Sequence, residues 1–271
     1  MPISLRRFWI HLSAFFAITL KQQLAYTAWF WANLLGQVVV MAIGVAFWRA
    51  VYEVTPAVGS LDRQQTIAYV LAANVVGLVV SWSMVTDIGY MLQSGSIATE
   101  LTRPVDFQLR MYATKLAEVG STLVKHMLFL GTAAWLLFGF RPPTDLRVWL
   151  WFLLSLLLGN AVLFFSDWLF SLGTFYTTEV RGLLILRDGV ASFFSGFMIP
   201  LPILPEWLQD VATALPFGQI LHTPVSIITG VIPVSAAPRA LVGQFCWLVG
   251  LIALSRPLFR LAVRRVTVQG G

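Results

Sequence analysis

Three histidines, one cysteine and twelve carboxylates are the groups with which this chain could do chemistry, and their spacing assembles no familiar reaction centre. His11, His126 and His222 lie far apart. There is no HExxH and no CxxC, so the ligand spacing of an ordinary zinc site is missing. None of Lys21, Lys115 and Lys125 follows the glycine of a GxxxxGK[ST] loop, so the chain lacks a phosphate-cradling P-loop. Cys246 stands alone in an apolar run, which rules out an intrachain disulfide. No catalytic residue, metal ligand or cofactor ligand can be named.

What remains is a set of polar side chains inside apolar sequence. Asn33 and Gln37 are four residues apart and fall on one helix face. Asn74, Asp87, Asn160 and Asp167 are similarly embedded. An ionisable group within lipid is expensive and often functional. Asp87 reads as an acid at a membrane boundary. Asp167, between Ser166 and Trp168, lies deeper. It calls either for a buried partner such as Lys125 or Arg187, or for a role in a transport path or chain–chain interface. Asn33, Gln37, Asn160 and Asp167 are therefore the candidate pathway or interface residues. Gly36, Gly44, Gly77 and Gly159 read as sites of close helix packing.

The elements that must position these groups are membrane helices. Of the 271 residues 58% are hydrophobic and only 11% charged, with a mean hydropathy of +0.80. A soluble domain carries about 25% charged residues. The apolar runs are continuous and near 20 residues, which favours helices over a β-barrel. The expected fold is an all-α polytopic membrane protein. Six spans are expected, at about 25–48, 67–86, 116–140, 148–172, 183–199 and 241–261. Residues 1–24 read as an amphipathic interfacial helix, with Leu5, Phe8, Trp9, Leu12 and Phe16 on one side and Arg7 and Lys21 roughly opposite. No cleavage site follows its apolar stretch, so a signal peptide is not expected. Residues 25–271 read as a single membrane domain. Residues 198–233 are proline-rich yet apolar and read as two short re-entrant helices in the outer leaflet, one starting at Pro205 and stopped by Pro216, the next running from Gln219 to Ile228.

Of the 18 basic residues, thirteen flank the runs on one face and five (Arg49, Arg63, Arg141, Arg147 and Arg239) on the other. The positive-inside rule makes the first face cytoplasmic and places both termini there. The net charge of +6 is thus a topological signal, and no nucleic-acid partner is implied.

The loop at 89–110 is the most informative stretch. Gly95 and Ser96 read as the start of a short helix, with Ser96 as its cap. Ile97, Ala98 and Leu101 share a face, Glu100 lies within the turn, and Arg103–Pro104 closes it because a residue before proline avoids helical backbone. GSIATELTRP, from Gly95 to Pro104, resembles the cytoplasmic coupling-helix motif of ABC type-2 permeases, in the form Gly-x5-Leu-x-Arg-Pro. The region from Gly196 to Gly230, with PLPILPEWL and LPF, is similar to that family's segment after the fifth span.

The resemblance implies an exporter permease without its own ATPase domain. It implies two ABC ATPase subunits, which bind ATP and Mg, and a second permease chain, identical or paralogous. Gly95, Ser96, Ile97, Ala98, Glu100, Leu101, Arg103 and Pro104 would form the ATPase contact, with Ile97, Ala98, Leu101 and Arg103 in a groove of the ATPase. A second contact is expected in the stretch from Tyr176 to Asp188, through Glu179, Arg181 and Arg187. The substrate would be amphiphilic or hydrophobic, the partners would include membrane lipid, and the location would be the plasma membrane. The alternative is a self-sufficient secondary transporter or channel, against which stand the lack of an internal repeat and the few deep charges. A lipid-modifying enzyme would need convergent catalytic groups, and a scaffold none.

Overall fold

In a computed structural model, residues 27–55, 58–77, 83–177 and 179–265 are described. The interfacial helix expected over residues 1–24 lies outside them. Every regular element among the described residues is helical. The α-helices are α1 (Thr27–Val54), α2 (Arg63–Gly77), α3 (Met84–Gln93), α4 (Ile97–Thr102), α5 (Phe107–Phe138), α6 (Leu146–Ser171), α7 (Val180–Phe194), α8 (Glu206–Ala214), α9 (Pro216–Ile220), α10 (His222–Ile228) and α11 (Ala237–Val263). Two 3₁₀ turns, Leu172–Phe175 and Leu201–Ile203, continue α6 and precede α8.

Three helical segments are both long and apolar enough to cross a bilayer: Trp31–Val54, Leu146–Phe175 and Ala237–Val263. A fourth crossing or a re-entrant loop is made by Glu206–Ala214 with Pro216–Ile228, bent by 74°. The other expected spans have no single helix of that kind among the described residues, and residues 78–82 of the span expected at 67–86 lie outside them. Helix α2 and helix α7 have 15 residues each, about 22 Å of rise. Helix α5 has 32 residues, about 48 Å. It starts nine residues before the expected boundary and carries Arg110, Lys115 and Glu118 in its first half, while Met127–Phe138 is the apolar part.

Helix α6 is the centre of the fold. Its apolar residues are spread over all sides, with Asn160 and Asp167 embedded among them, and it packs on α3, α7, α9, α10 and α11. One core joins Tyr69 and Val76 of α2, Phe152 and Leu163 of α6, Ile220, Val225 and Leu251. A second joins Met84, Ile88, Ile97, Phe107, Trp168 and Ala262. A third seats α1 on α2 and α5 through Met41, Val45, Leu71 and Leu130. Outward, α1 shows Leu35, Val39, Ile43 and Phe47, and α11 shows Val242, Phe245, Val249 and Leu261. Apolar faces of this extent need lipid or another chain to cover them.

Close backbone approach at two glycines sets helix distances. A Cβ on Gly159 of α6 would sit 2.7 Å from the Ile220 carbonyl oxygen, so only glycine lets the broken α9/α10 segment lie against α6. Gln244 of α11 then donates to the Ser155 and Gln219 carbonyls at 3.0 and 2.7 Å. Helix α8 stops at Ala214, with Leu215 held extended before Pro216; Pro216 also opens α9 at its first turn, where its missing N–H costs nothing, and a second interruption falls at Leu221. Thus α9 and α10 share the stretch expected to hold one short helix.

Candidate functional site

The stretch from Gly95 to Pro104 folds as expected in outline. Helix α3 ends at Gln93 with Ser94 as its cap, and Gly95 follows with a φ of +72°, a left-handed backbone that glycine adopts at no steric cost. No neighbour lies within 4 Å of a Cβ built there, so conformation and not crowding demands the glycine. Helix α4 follows over Ile97–Thr102. Arg103, at φ −64° and ψ 143°, is extended, as the following Pro104 requires. Ser96 does not cap α4. Its own backbone is helical, and its hydroxyl instead meets that of Ser94 at 2.8 Å.

The faces of α4 also differ from expectation. Ile97 is 2% exposed and packs with Met84, Ile88, Phe107 and Trp168, with Leu101 half-buried against the same cluster. These apolar residues hold α4 to its own chain, because burying them here removes more apolar surface than leaving them in water would allow. Ala98 is half-buried. The surface left outward is Gly95, Ser96, Thr99, Thr102, Arg103 and Pro104. Glu100 pairs with Arg103 at 3.0 Å and with Arg110 of α5. One carboxylate therefore ties α4 to the first turn of α5, where the Arg110 guanidinium also lies 5.4 Å over the Phe107 ring.

The ends of α3, α5 and α11 are joined around this turn. Asp106 caps α5, accepting from the Leu109 amide at 2.8 Å, and pairs with Arg256 of α11. Partial burial pushes its carboxyl up, but the hydrogen bonds from Arg256 and Leu109 outweigh that and hold it below the ordinary carboxylate range. Asp87 of α3, expected as an acid at a boundary, bonds Lys115 of α5 at 2.7 Å, and Lys115 reaches Glu118 at 3.0 Å. Phe107, Trp168 and Phe259 cluster nearby with centroids 5.1 to 5.9 Å apart, Phe107 stacked on Phe259 and Trp168 tilted against both.

The second expected contact is divided by the structure. Helix α7 begins at Val180, so the stretch from Tyr176 to Asp188 is largely helical. Glu179 caps it by accepting from the Gly182 amide at 3.3 Å, and Arg181 is exposed. Arg187 is 7% exposed and turns inward to Asp167. Helix α7 leans on α3 where Gly89 faces Val180: a Cβ on Gly89 would meet the Val180 side chain at 2.5 Å.

The embedded polar residues separate likewise. Asp167 is buried on α6. It accepts from Arg187 Nε at 2.5 Å and from the backbone amide of Met84, the first residue of α3. Of the two partners expected for it, Arg187 is the one found; the Lys125 side chain lies outside the described residues. Asn160 is buried two turns earlier on α6, and its amide nitrogen meets no acceptor among the described residues. Asn33 is exposed and Gln37 half-buried on α1, on the outward side of the molecule. Asp167 and Asn160 thus share one helix, whereas Asn33 and Gln37 sit apart. The sequence did not single out Gln244, whose two bonds to backbone carbonyls join α6, α9 and α11; its place in an apolar run was the available signal. Among the described residues no cluster of His, Cys, Asp and Glu is arranged to hold a metal ion.

The family model described as ABC-2 family transporter protein matches residues 26–270. The chain belongs to the ABC-2 family. A comparison with curated proteins finds no match. Members of the ABC-2 family are membrane components of ABC transporters, and the match covers every described helix, including α4 and the broken α8–α10 segment.

Proposed function

We propose that this ABC-2 protein is the permease subunit of an exporter that moves an amphiphilic or hydrophobic substrate, driven by ATP hydrolysed on separate subunits. The observation that carries the reading is α4: a six-residue helix pinned to its own chain by Ile97 and Glu100, with a small polar face left outward. A docking element of this kind must be rigid on one side and unencumbered on the other. Thr99, Thr102, Arg103 and Pro104 would enter the ATPase groove, with Gly95 and Ser96 at its edge. Ile97, Ala98 and Leu101 would transmit the movement inward. Glu179 and Arg181 would make a second contact from the start of α7.

Counting α1, the α2–α3 pair, α5, α6, α7 and α11 as crossings gives six and puts both termini in the cytoplasm, in keeping with the excess of basic residues on that face. Two such chains, identical or paralogous, would share two ATPases in a plasma membrane, with Asn33, Gln37 and Asn160 at the path or the chain–chain interface. ATP binding must favour one arrangement of the pair over the other for work to be done.

The test uses Cys246→Ser protein carrying Thr99→Cys, purified in mild detergent with its co-expressed neighbours. ATP hydrolysis should co-elute with the chain, and a thiol cross-linker should join Cys-substituted position 99 to the ATPase. Thr99→Arg with Arg103→Glu should lose both while the chain stays monodisperse. An intact permease that never carries ATPase activity would overturn the reading.

A further inference from the structure

At the far end of α5 from α4 lies a cavity of about 510 Å³. Arg49, near the end of α1, Arg63, the first residue of α2, and Arg141, just past α5, all line it, together with Gln64 and Gln65. No carboxylate is among its lining residues. Of the nearest acids in sequence, Glu53 is exposed and outside the lining, Asp62 accepts from the Gln65 amide at 2.7 Å, and Asp145 pairs with Arg147 at 3.1 Å. None of the three arginines has an acidic partner within salt-bridge distance among the described residues. Three uncompensated guanidiniums around one concavity focus positive potential into it, and guanidinium forks match phosphate and carboxylate oxygens.

A second, apolar cleft of about 320 Å³ adjoins it, and Leu71 and Phe140 line both. The cleft follows α5 from Met127 to Trp135, about 12 Å along the apolar half of the helix, and is closed opposite by Val75, Phe152 and Ile228. Gly139 makes the junction: its φ of +72° ends α5 and turns Phe140 back, so that the Phe140 amide bonds the Ala134 carbonyl at 3.0 Å and Arg141 is carried to the basic rim.

We propose that the two cavities are one site for an anionic bilayer amphiphile, its phosphate-type headgroup held by Arg49, Arg63 and Arg141 and one acyl chain laid along α5 in the cleft. Charge complementarity selects the head, and the shared wall at Leu71 and Phe140 joins head to tail. A free anion would use only the basic half, and a neutral lipid only the apolar half. The site deepens the proposed function by naming the class of amphiphile, but it is measured without any ATPase. Its failure would therefore leave the coupling reading standing, and loss of ATPase capture would leave this site standing.

The experiment is tryptophan quenching by brominated-acyl lipids in micelles of the full chain, since Trp135 and Trp149 both line the cleft. Brominated phosphatidylglycerol should quench at a concentration at least tenfold below that of brominated phosphatidylcholine. The excess should vanish in Trp135→Phe/Trp149→Phe. Arg49→Gln/Arg63→Gln/Arg141→Gln should erase the preference. Gly131→Leu should weaken quenching by both lipids; position 131 faces open space in the cleft, so the leucine fills it without a clash and keeps the arginines intact. Equal quenching by the two lipids, an unchanged preference in the triple variant, or full protection by millimolar inorganic phosphate alone would each overturn the proposal.

Discussion

Arg187 of α7 donates from Nε to Asp167 of α6 at 2.5 Å, and the same carboxylate receives the first backbone amide of α3. One buried acid thereby neutralises a buried cation and closes the open end of a third helix. Removing one partner of such a buried pair costs about 3 to 5 kcal/mol. Asp167→Ala would leave Arg187 with the more exposed Asp188, at 2.9 Å, in place of a buried acid, and the first amide of α3 without its carboxylate acceptor. Asp167→Ala should therefore lower the melting temperature of the detergent-solubilised protein sharply. Asp167→Leu with Arg187→Leu should recover much of the loss. A single variant as stable as the parent would remove the pair from the framework.

The crossing of α3 and α7 allows no side chain at residue 89. Gly89→Ala should destabilise by about 1 to 3 kcal/mol, since its Cβ meets Val180 at 2.5 Å. Adding Val180→Ala should restore stability, because the obstructing methyl groups are gone. Thermal unfolding of the single and double variants checks this, and no recovery would mean that the helices pack otherwise.

Gly95 gives a milder and more diagnostic outcome. Gly95→Ala places a side chain in left-handed backbone at a cost of about 1 to 2 kcal/mol. Gly95→Asn should cost less, since asparagine tolerates that region. With open space around residue 95, the order Gly, Asn, Ala in melting temperature tests conformation alone; Asn falling below Ala would contradict it.

Acid should loosen the contact between α5 and α11. The Asp106 carboxyl is held below its ordinary value of 3.8 in the folded chain. A depressed acid contributes stability that is present above its unfolded pKa and is lost as pH falls through the folded value. The contribution is thus full at pH 6 and declines below about pH 4. Because the pair is well exposed, it should amount to a few tenths of a kcal/mol. Asp106→Asn should flatten that part of the stability–pH curve, seen by comparing melting temperatures at pH 6 and pH 3.5.

Much of the architecture is legible in the residues, for reasons that differ by element. Apolar runs such as Leu146–Ser171 and Ala237–Val263 announce themselves by length and composition. Gly95 and Arg103–Pro104 mark the limits of α4 because backbone restrictions are local. The direction in which α4 faces was not legible. Ile97 and Leu101 are apolar whether they meet a partner or their own chain, and only the arrival of Phe107, Trp168 and Ala262 from distant segments decides it. Arg187 carries two readings in the sequence, a surface contact beside Arg181 and Asp188 or a buried partner for Asp167, and the carboxylate twenty residues earlier draws it inward. The basic cavity was hidden for the same reason, since Arg49, Arg63 and Arg141 come from the last turns of α1, the start of α2 and the connection after α5.

The uninterrupted run of α5 makes it a lever. Its 32 residues contain no proline, and it joins the Glu100 clamp at one end to Arg141 just beyond the other. A tilt of about 5° around its middle displaces the two ends by about 2 Å in opposite directions. Such a shift exceeds the range of about 0.5 Å over which an N–H···O bond holds. Force applied at α4 would therefore be felt at the arginine rim as a change of grip, with no intervening loop to absorb the stroke.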